Sequence, residues 1–104
     1  MEIDGKTYNR DLILVPGKVL HPWIRRRGHH LAMEDLELIL AEPPRILIVG
    51  TGIFGRMQVG SGLIHALEDR GVTCRVLRTH DAAAAYNEAR EDGSDCAGAF
   101  HLTC

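Results

Sequence analysis

The chain has 104 residues, 45% of them hydrophobic, with 12 Lys and Arg against 14 Asp and Glu, a formal net charge of −2 and a sequence pI of about 6.3. That suffices for one core and one domain over residues 1–104, and it lacks the global positive field of a nucleic-acid or membrane-surface protein. No apolar stretch approaches the ~18 residues of a membrane span and Met1 opens no signal sequence, so a cytoplasmic location is expected; Cys74, Cys96 and Cys104, with no CxxC, argue against a disulfide framework or thiolate zinc site.

In chain order, Ile3-Asp4-Gly5-Lys6-Thr7-Tyr8 places a D-G turn signal between short strands, and Asp11-Leu12-Ile13-Leu14-Val15 reads as a buried strand stopped by Pro16-Gly17. The N-terminal third is therefore a β-hairpin that extends a sheet or covers one end of it. His21-Pro22 breaks any strand over Val19–Ile24 or places it at an edge, because Pro cannot donate to a ladder. A helix is expected over Leu31–Glu42, with Leu36, Ile39 and Leu40 at helical spacing, acids in its first turn and Pro43-Pro44 as the stop.

Ile46–Gly50 reads as a strand, followed by a glycine-rich loop and a helix starting near Ser61 and closed by Gly71 at its C′ position. Val72–Leu77 alternates as a strand, a helix runs from about Asp81 to Asp92 with Thr79 or Asp81 as cap, and Cys96–Leu102 is a last strand. Its small residues Ala97, Gly98 and Ala99 allow a helix to approach closely. This strand-helix-strand-helix-strand half, with the N-terminal hairpin, implies a three-layer α/β domain with a mixed β-sheet and right-handed crossovers.

The run Ile46-Leu47-Ile48-Val49-Gly50-Thr51-Gly52-Ile53-Phe54-Gly55 has the G-x-G-x-x-G spacing of a dinucleotide loop. Three features speak against a Rossmann cofactor. Gly60 and Gly62 penalise a helix where the fingerprint needs one, at about 1 kcal/mol each relative to Ala. No acid ends the second strand, since Leu77 runs into Arg78-Thr79-His80 and Asp81 is the first carboxylate. The 49 residues after Gly55 leave no room for a second mononucleotide-binding half. No full Rossmann domain and no cofactor are expected. The loop reads as a strand exit that needs positive φ and close packing, or as a backbone nest in which Gly50, Thr51, Gly52 and Gly55 offer N–H groups to an anion beside Arg56.

From Lys18 to His30 the chain has four basic residues and no acids. Arg25 and Arg27 share a face with Trp23 in an extended chain, a pattern for gripping an anion or stacking on a base, against the alternative of a solvated edge that blocks strand pairing. His29, His101 and Cys104 could join such a ligand site, but adjacent histidines and His-x-x-Cys on a strand lack metal-ligand geometry, so no metal is expected. Asn87, unfavourable inside a helix, suggests a tertiary hydrogen bond. No Ser-His-Asp or paired-carboxylate arrangement stands out, and no catalytic residue is assigned.

Asp4-Gly5 with Tyr8, Trp23, Gly28-His29 before Leu31, Glu34-Asp35-Leu36, Ile48-Val49-Gly50-Thr51-Gly52, Thr79 with Tyr86-Asn87, and Ala99-Phe100-His101-Leu102-Thr103-Cys104 together resemble one family. It comprises small α/β proteins of unknown biochemical function in archaea and bacteria, of the Mth-type domain, with animal relatives that include an adipogenesis-associated domain protein and a mitochondrial complex I assembly factor. The resemblance implies a compact three-layer domain in which the Gly-Thr-Gly loop is a structural signature, and it implies no reaction. Ala32 departs from a pattern in which a capping Ser would suit the first helix.

The expectation is an accessory or protein-interaction domain without demonstrated catalysis. The alternative is a binder of, or enzyme on, a small anionic ligand at Trp23, Arg25, Arg27, His29, the Gly50–Gly55 loop, Arg56, His101 and Cys104. Nucleic-acid binding through Arg25–Arg27 is a weaker one. Expected partners are thus an unidentified protein or a small anion, and not a membrane.

Overall fold

The computed structural model describes residues 2–3, 6–23, 25 and 29–102. Two strand pairs open the chain. Strands β1 (Glu2–Ile3) and β2 (Lys6–Thr7) form a separate two-stranded antiparallel sheet. The D-G turn between them and the Arg26–Gly28 and Thr103-Cys104 segments lie outside the described residues. The second pair, β3 (Leu12–Val15) and β4 (Lys18–Leu20), turns at Pro16-Gly17, where Gly17 has φ 74°, and joins the main sheet.

The remaining strands are β5 (Ile46–Thr51), β6 (Thr73–Leu77) and β7 (Cys96–His101), and the five-stranded order is β4-β3-β7-β5-β6. β5 pairs parallel with β6 and β7, while β3 runs antiparallel to β7, so the sheet is mixed. Helix α1 spans Glu37–Ala41, α2 spans Ser61–Asp69 and α3 spans Thr79–Glu91.

Three layers follow from the connections. The β5-α2-β6 crossover steps outward to the edge, and the β6-α3-β7 crossover steps back across β5; right-handed crossovers in opposite directions set their helices on opposite faces. The core is split accordingly. One cluster packs Leu36, Ile39 and Leu67 against Ile13, Leu47, Val49, Ala97 and Ala99 of the sheet. The other packs Ala82 and Tyr86 of α3, with Tyr8, against Leu12, Leu14, Ile48 and Phe100. All six β7 residues are buried, as a strand covered on both faces requires. At Gly98 an added Cβ would run into the Phe100 ring and come within 3.2 Å of Tyr86 Cδ1, so this glycine makes room for two aromatic rings that meet edge-on at 5.8 Å.

Local expectations fail in three places. The helix expected over Leu31–Glu42 is a 3₁₀ turn over Met33–Leu36 followed by the five-residue α1. Ala32 offers no capping oxygen, and Asp35 Oδ2 instead accepts from the Ala32 N–H at 2.9 Å, which holds the tighter turn. Thr79 and Asp81 do not cap α3: the cap position is Arg78, which makes no side-chain bond there, and the Thr79 side chain is used in tertiary contacts. Asn87 is exposed. The closing glycines are as expected, Gly71 and Gly93 having φ 81° and 73°.

Candidate functional site

The carboxyl ends of the parallel strands, where ligands of open α/β sheets gather, carry most of the residues singled out from the sequence. β5 ends at Thr51, β6 is followed by Arg78, and β7 ends at His101. Because β3 is antiparallel to β7, with Leu12 opposite Phe100, Asp11 enters at this same end.

The glycine-rich loop is stitched to its surroundings through its own amides. Gly50 lies against α3, where an added Cβ would sit 2.9 Å from Thr79 Oγ1 and 3.2 Å from Thr79 Cα. The Gly52 N–H donates to Thr79 Oγ1 at 2.8 Å, and the Thr79 hydroxyl donates in turn to the His101 carbonyl. The Gly55 N–H donates to the Gly52 carbonyl (3.2 Å), the Met57 N–H to that of Thr51 (3.0 Å), and the Thr51 hydroxyl to that of Leu77 (3.1 Å). Gly52 and Gly55 have φ 105° and 66°, conformations that side chains disfavour. The amides of Gly52, Gly55 and Met57 thus have internal partners.

What the loop presents to solvent is apolar. Ile53 and Phe54, at the tip of the turn closed by Gly52 and Gly55, are 62% and 67% exposed, far more than any other large hydrophobic residue described. The Arg56 guanidinium lies over the Phe54 ring at 5.8 Å, and the Arg78 side chain passes beside Gly55. Ile53 and Phe54 were not singled out from the sequence, where they fall between the glycines of the G-x-G-x-x-G spacing; the signal was two adjacent large hydrophobics inside a tight turn, where burial is geometrically hard.

A second cluster adjoins the first. Gln58, leaving the loop, pairs with the segment after the arginine run: its N–H donates to the His29 carbonyl (2.7 Å), and its carbonyl accepts from the Leu31 N–H (3.0 Å). Trp23 is buried, its N–H on the Asp11 carbonyl (2.7 Å) and its Nε1 on the Asp35 carbonyl (3.0 Å). Arg25 stacks over the Trp23 ring at 4.8 Å and reaches Asp11 Oδ2 with Nη1 at 2.6 Å; its side chain is only 4% exposed, so this arginine is an internal cation. His101, 4% exposed, has Nδ1 at 2.7 Å from the same Oδ2 and 2.9 Å from Arg25 Nη2, and its ring meets that of the exposed His29 edge-on at 5.7 Å.

Asp11 is the centre of this cluster, and its other oxygen accepts from the Leu102 N–H at 2.7 Å. Burial by itself raises its pKa, but the hydrogen bonds from His101, the Leu102 amide and Arg25 outweigh burial and hold the carboxyl below its ordinary value. His101 Nδ1 thus faces both an acceptor, Asp11 Oδ2 at 2.7 Å, and a donor, Arg25 Nη2 at 2.9 Å. The other ring nitrogen, Nε2, is buried with no hydrogen-bond partner among the described residues. Asp11 was not assigned from the sequence, where it reads as the first residue of a strand. An acid directly ahead of four apolar residues was the available hint.

The structure therefore brings Trp23, Arg25, His29 and His101 together, and sets Gly50, Thr51, Gly52, Gly55 and Arg56 beside them on the loop; Arg27 and Cys104 lie outside the described residues. Two shallow depressions of about 490 and 470 Å³ flank the Pro16-Gly17 turn at the opposite end of the sheet, away from all of these. Among the described residues there is no group of three potential metal ligands, and no helix is long and apolar enough to cross a membrane.

Residues 1–101 match the family described as "Protein of unknown function (DUF498/DUF598)". The chain belongs to this family. Solved structures of the same fold include the conserved hypothetical protein PH1505 of Pyrococcus horikoshii, with 28% identity, a TM-score of 0.74 and coverage of 98% of this chain and 90% of that one. The protein MT938 is 30% identical over 97% of this chain and 88% of its own, also with a TM-score of 0.74. A Bordetella parapertussis protein, 24% identical over 97% of this chain and 86% of its own, shares the fold with a TM-score of 0.80. This member of the family is a small α/β domain of unknown biochemical function.

Proposed function

We propose that this family member is an accessory protein-interaction domain that docks a partner protein through the Ile53-Phe54 turn. The carrying observation is the exposure of these two side chains, 62% and 67%, on a turn whose own backbone is anchored by Gly52, Gly55 and Thr79. A rigid scaffold that holds large apolar groups in water loses little entropy on binding, and fully burying such a side chain contributes about 1.5–3 kcal/mol. Arg56 and Arg78 on either side suit a partner whose apolar pocket has an acidic rim, which gives orientation more than affinity. The resemblance to a mitochondrial complex I assembly factor supports the same reading.

A photo-crosslinking amino acid at position 54, introduced in the native host, tests it. A discrete protein crosslinked from position 54 but not from exposed Asn87 on α3 is the expected result; identical patterns from both positions would refute the reading.

A further inference from the structure

We infer that a partner of the Ile53-Phe54 turn is a second copy of this chain, which receives the turn in the depression beside α1 at the opposite end of its sheet. The inference rests on the reading of the turn as a docking surface and names the occupant's seat.

The tip sets the requirements. It offers two large exposed apolar side chains, with the Arg56 guanidinium over the Phe54 ring and the Arg78 side chain beside Gly55. A complementary surface needs apolar walls at its centre and carboxylates at its rim. The chain itself carries such a surface. A depression of about 470 Å³ is walled by Leu38, Pro43 and Pro44, and its lining holds Glu42 and Asp95 against one cation, Lys18. Both acids are exposed, so they meet an arriving guanidinium at the rim. Leu38 is 38% exposed on α1 and gains cover when a large apolar group settles on it. The adjacent prolines have no backbone N–H and a fixed φ, so this wall loses little hydration or freedom on contact.

Sign separates this depression from its twin. The one on the other side of the Pro16-Gly17 turn has no carboxylate among its described lining residues and offers Arg56 and Arg78 no partner.

Position then fixes the mode of assembly. The tip follows the last residue of β5, Thr51, while Pro43 and Pro44 precede its first, Ile46. These ends lie roughly 17 Å apart along the strand, so a tip does not reach its own depression. Contact is therefore between copies and head-to-tail. A pair joined this way keeps one unused tip and one unused depression, and growth continues to a ring or a filament.

Sedimentation of the purified full chain over a dilution series tests this, with wild type, the tip variant Ile53→Ser, Phe54→Ser and the depression variant Leu38→Arg. Leu38 is exposed, and thermal unfolding checks that each variant is folded. Expected are wild-type species that grow with concentration beyond a dimer, and loss of association in either variant alone. An equimolar mixture of the two variants should regain a heterodimer that grows no further, because only one intact tip and one intact depression can meet. A photo-crosslinker at position 54 of the purified chain should join copies at the segment 38–44. Wild type that stays monomeric, an unaltered Leu38→Arg variant, a mixture that fails to pair, or crosslinks from tip to tip would overturn the inference. Monomeric wild type together with a different protein crosslinked from position 54 in the host would remove this inference and leave the docking reading standing.

Discussion

The Ile53-Phe54 turn and the Asp11-Arg25-His101 cluster lie side by side at the carboxyl end of the sheet, and they depart from ordinary protein construction in opposite senses. The turn ties the amides of Gly52, Gly55 and Met57 to internal acceptors and then holds large apolar side chains in water. The cluster sets charged and polar groups inside the molecule, pairs nearly all of them, and leaves one nitrogen without a partner among the described residues. Both are unfavourable for the isolated chain, and both are relieved by something arriving from outside. The apolar tip suits a protein surface, and the buried nitrogen suits a single hydrogen-bond partner. Thr79 joins the two, accepting from Gly52 at the base of the turn and donating to the His101 carbonyl.

If the cluster is a paired interior, its removal should cost far more stability than removal of the turn's side chains. The largest effect is expected from Asp11→Ala, which removes the carboxylate that Arg25, His101 and the Leu102 amide share; about 3 kcal/mol should be lost in urea unfolding, at the low end for a broken buried pair because the Asp11 side chain is 15% exposed. Next is Gly50→Ala, whose new Cβ meets the Thr79 backbone and hydroxyl; a loss of about 1–3 kcal/mol is expected in the same experiment.

Smaller again is the acid dependence. The Asp11 carboxyl is held below its ordinary value when folded, so it contributes stability at pH above the unfolded value of about 3.9 and loses that contribution as pH falls through the folded one. Comparison of wild type with Asp11→Asn by thermal unfolding from neutral pH downward should show the wild-type advantage shrinking toward acid and the variant nearly flat by comparison. The smallest stability effect is expected for the double variant Ile53→Ser, Phe54→Ser, within about 0.5 kcal/mol of wild type, because these side chains pack against little. A large loss there would make the turn part of the core and dissolve the contrast.

Much of the fold was legible because its signals are local. The Ile46–Val49 run, the C′ glycines Gly71 and Gly93 and the small residues of β7 each announce their element within a few positions. The first helix misled because Leu36, Ile39 and Leu40 have helical spacing while the residue at the cap, Ala32, has no side-chain oxygen to accept a hydrogen bond. Thr79 misled for the converse reason: its hydroxyl suits a cap, yet its partners lie 27 and 22 residues away at Gly52 and His101. The site was legible in part. Trp23 and Arg25 stack as their spacing in an extended chain suggests, and His29 and His101 meet. Asp11 was not legible, since its partners stand 14 and 90 residues along the chain and only the sheet order brings them together.

The central claim is that the exposed turn is a docking surface. Its most direct test is co-purification from the native host of wild type and of the Ile53→Ser, Phe54→Ser variant, both shown to unfold at the same temperature. A partner recovered in stoichiometric amount with wild type and lost from the variant is the predicted result. A partner retained equally by both, or none with wild type, would contradict it.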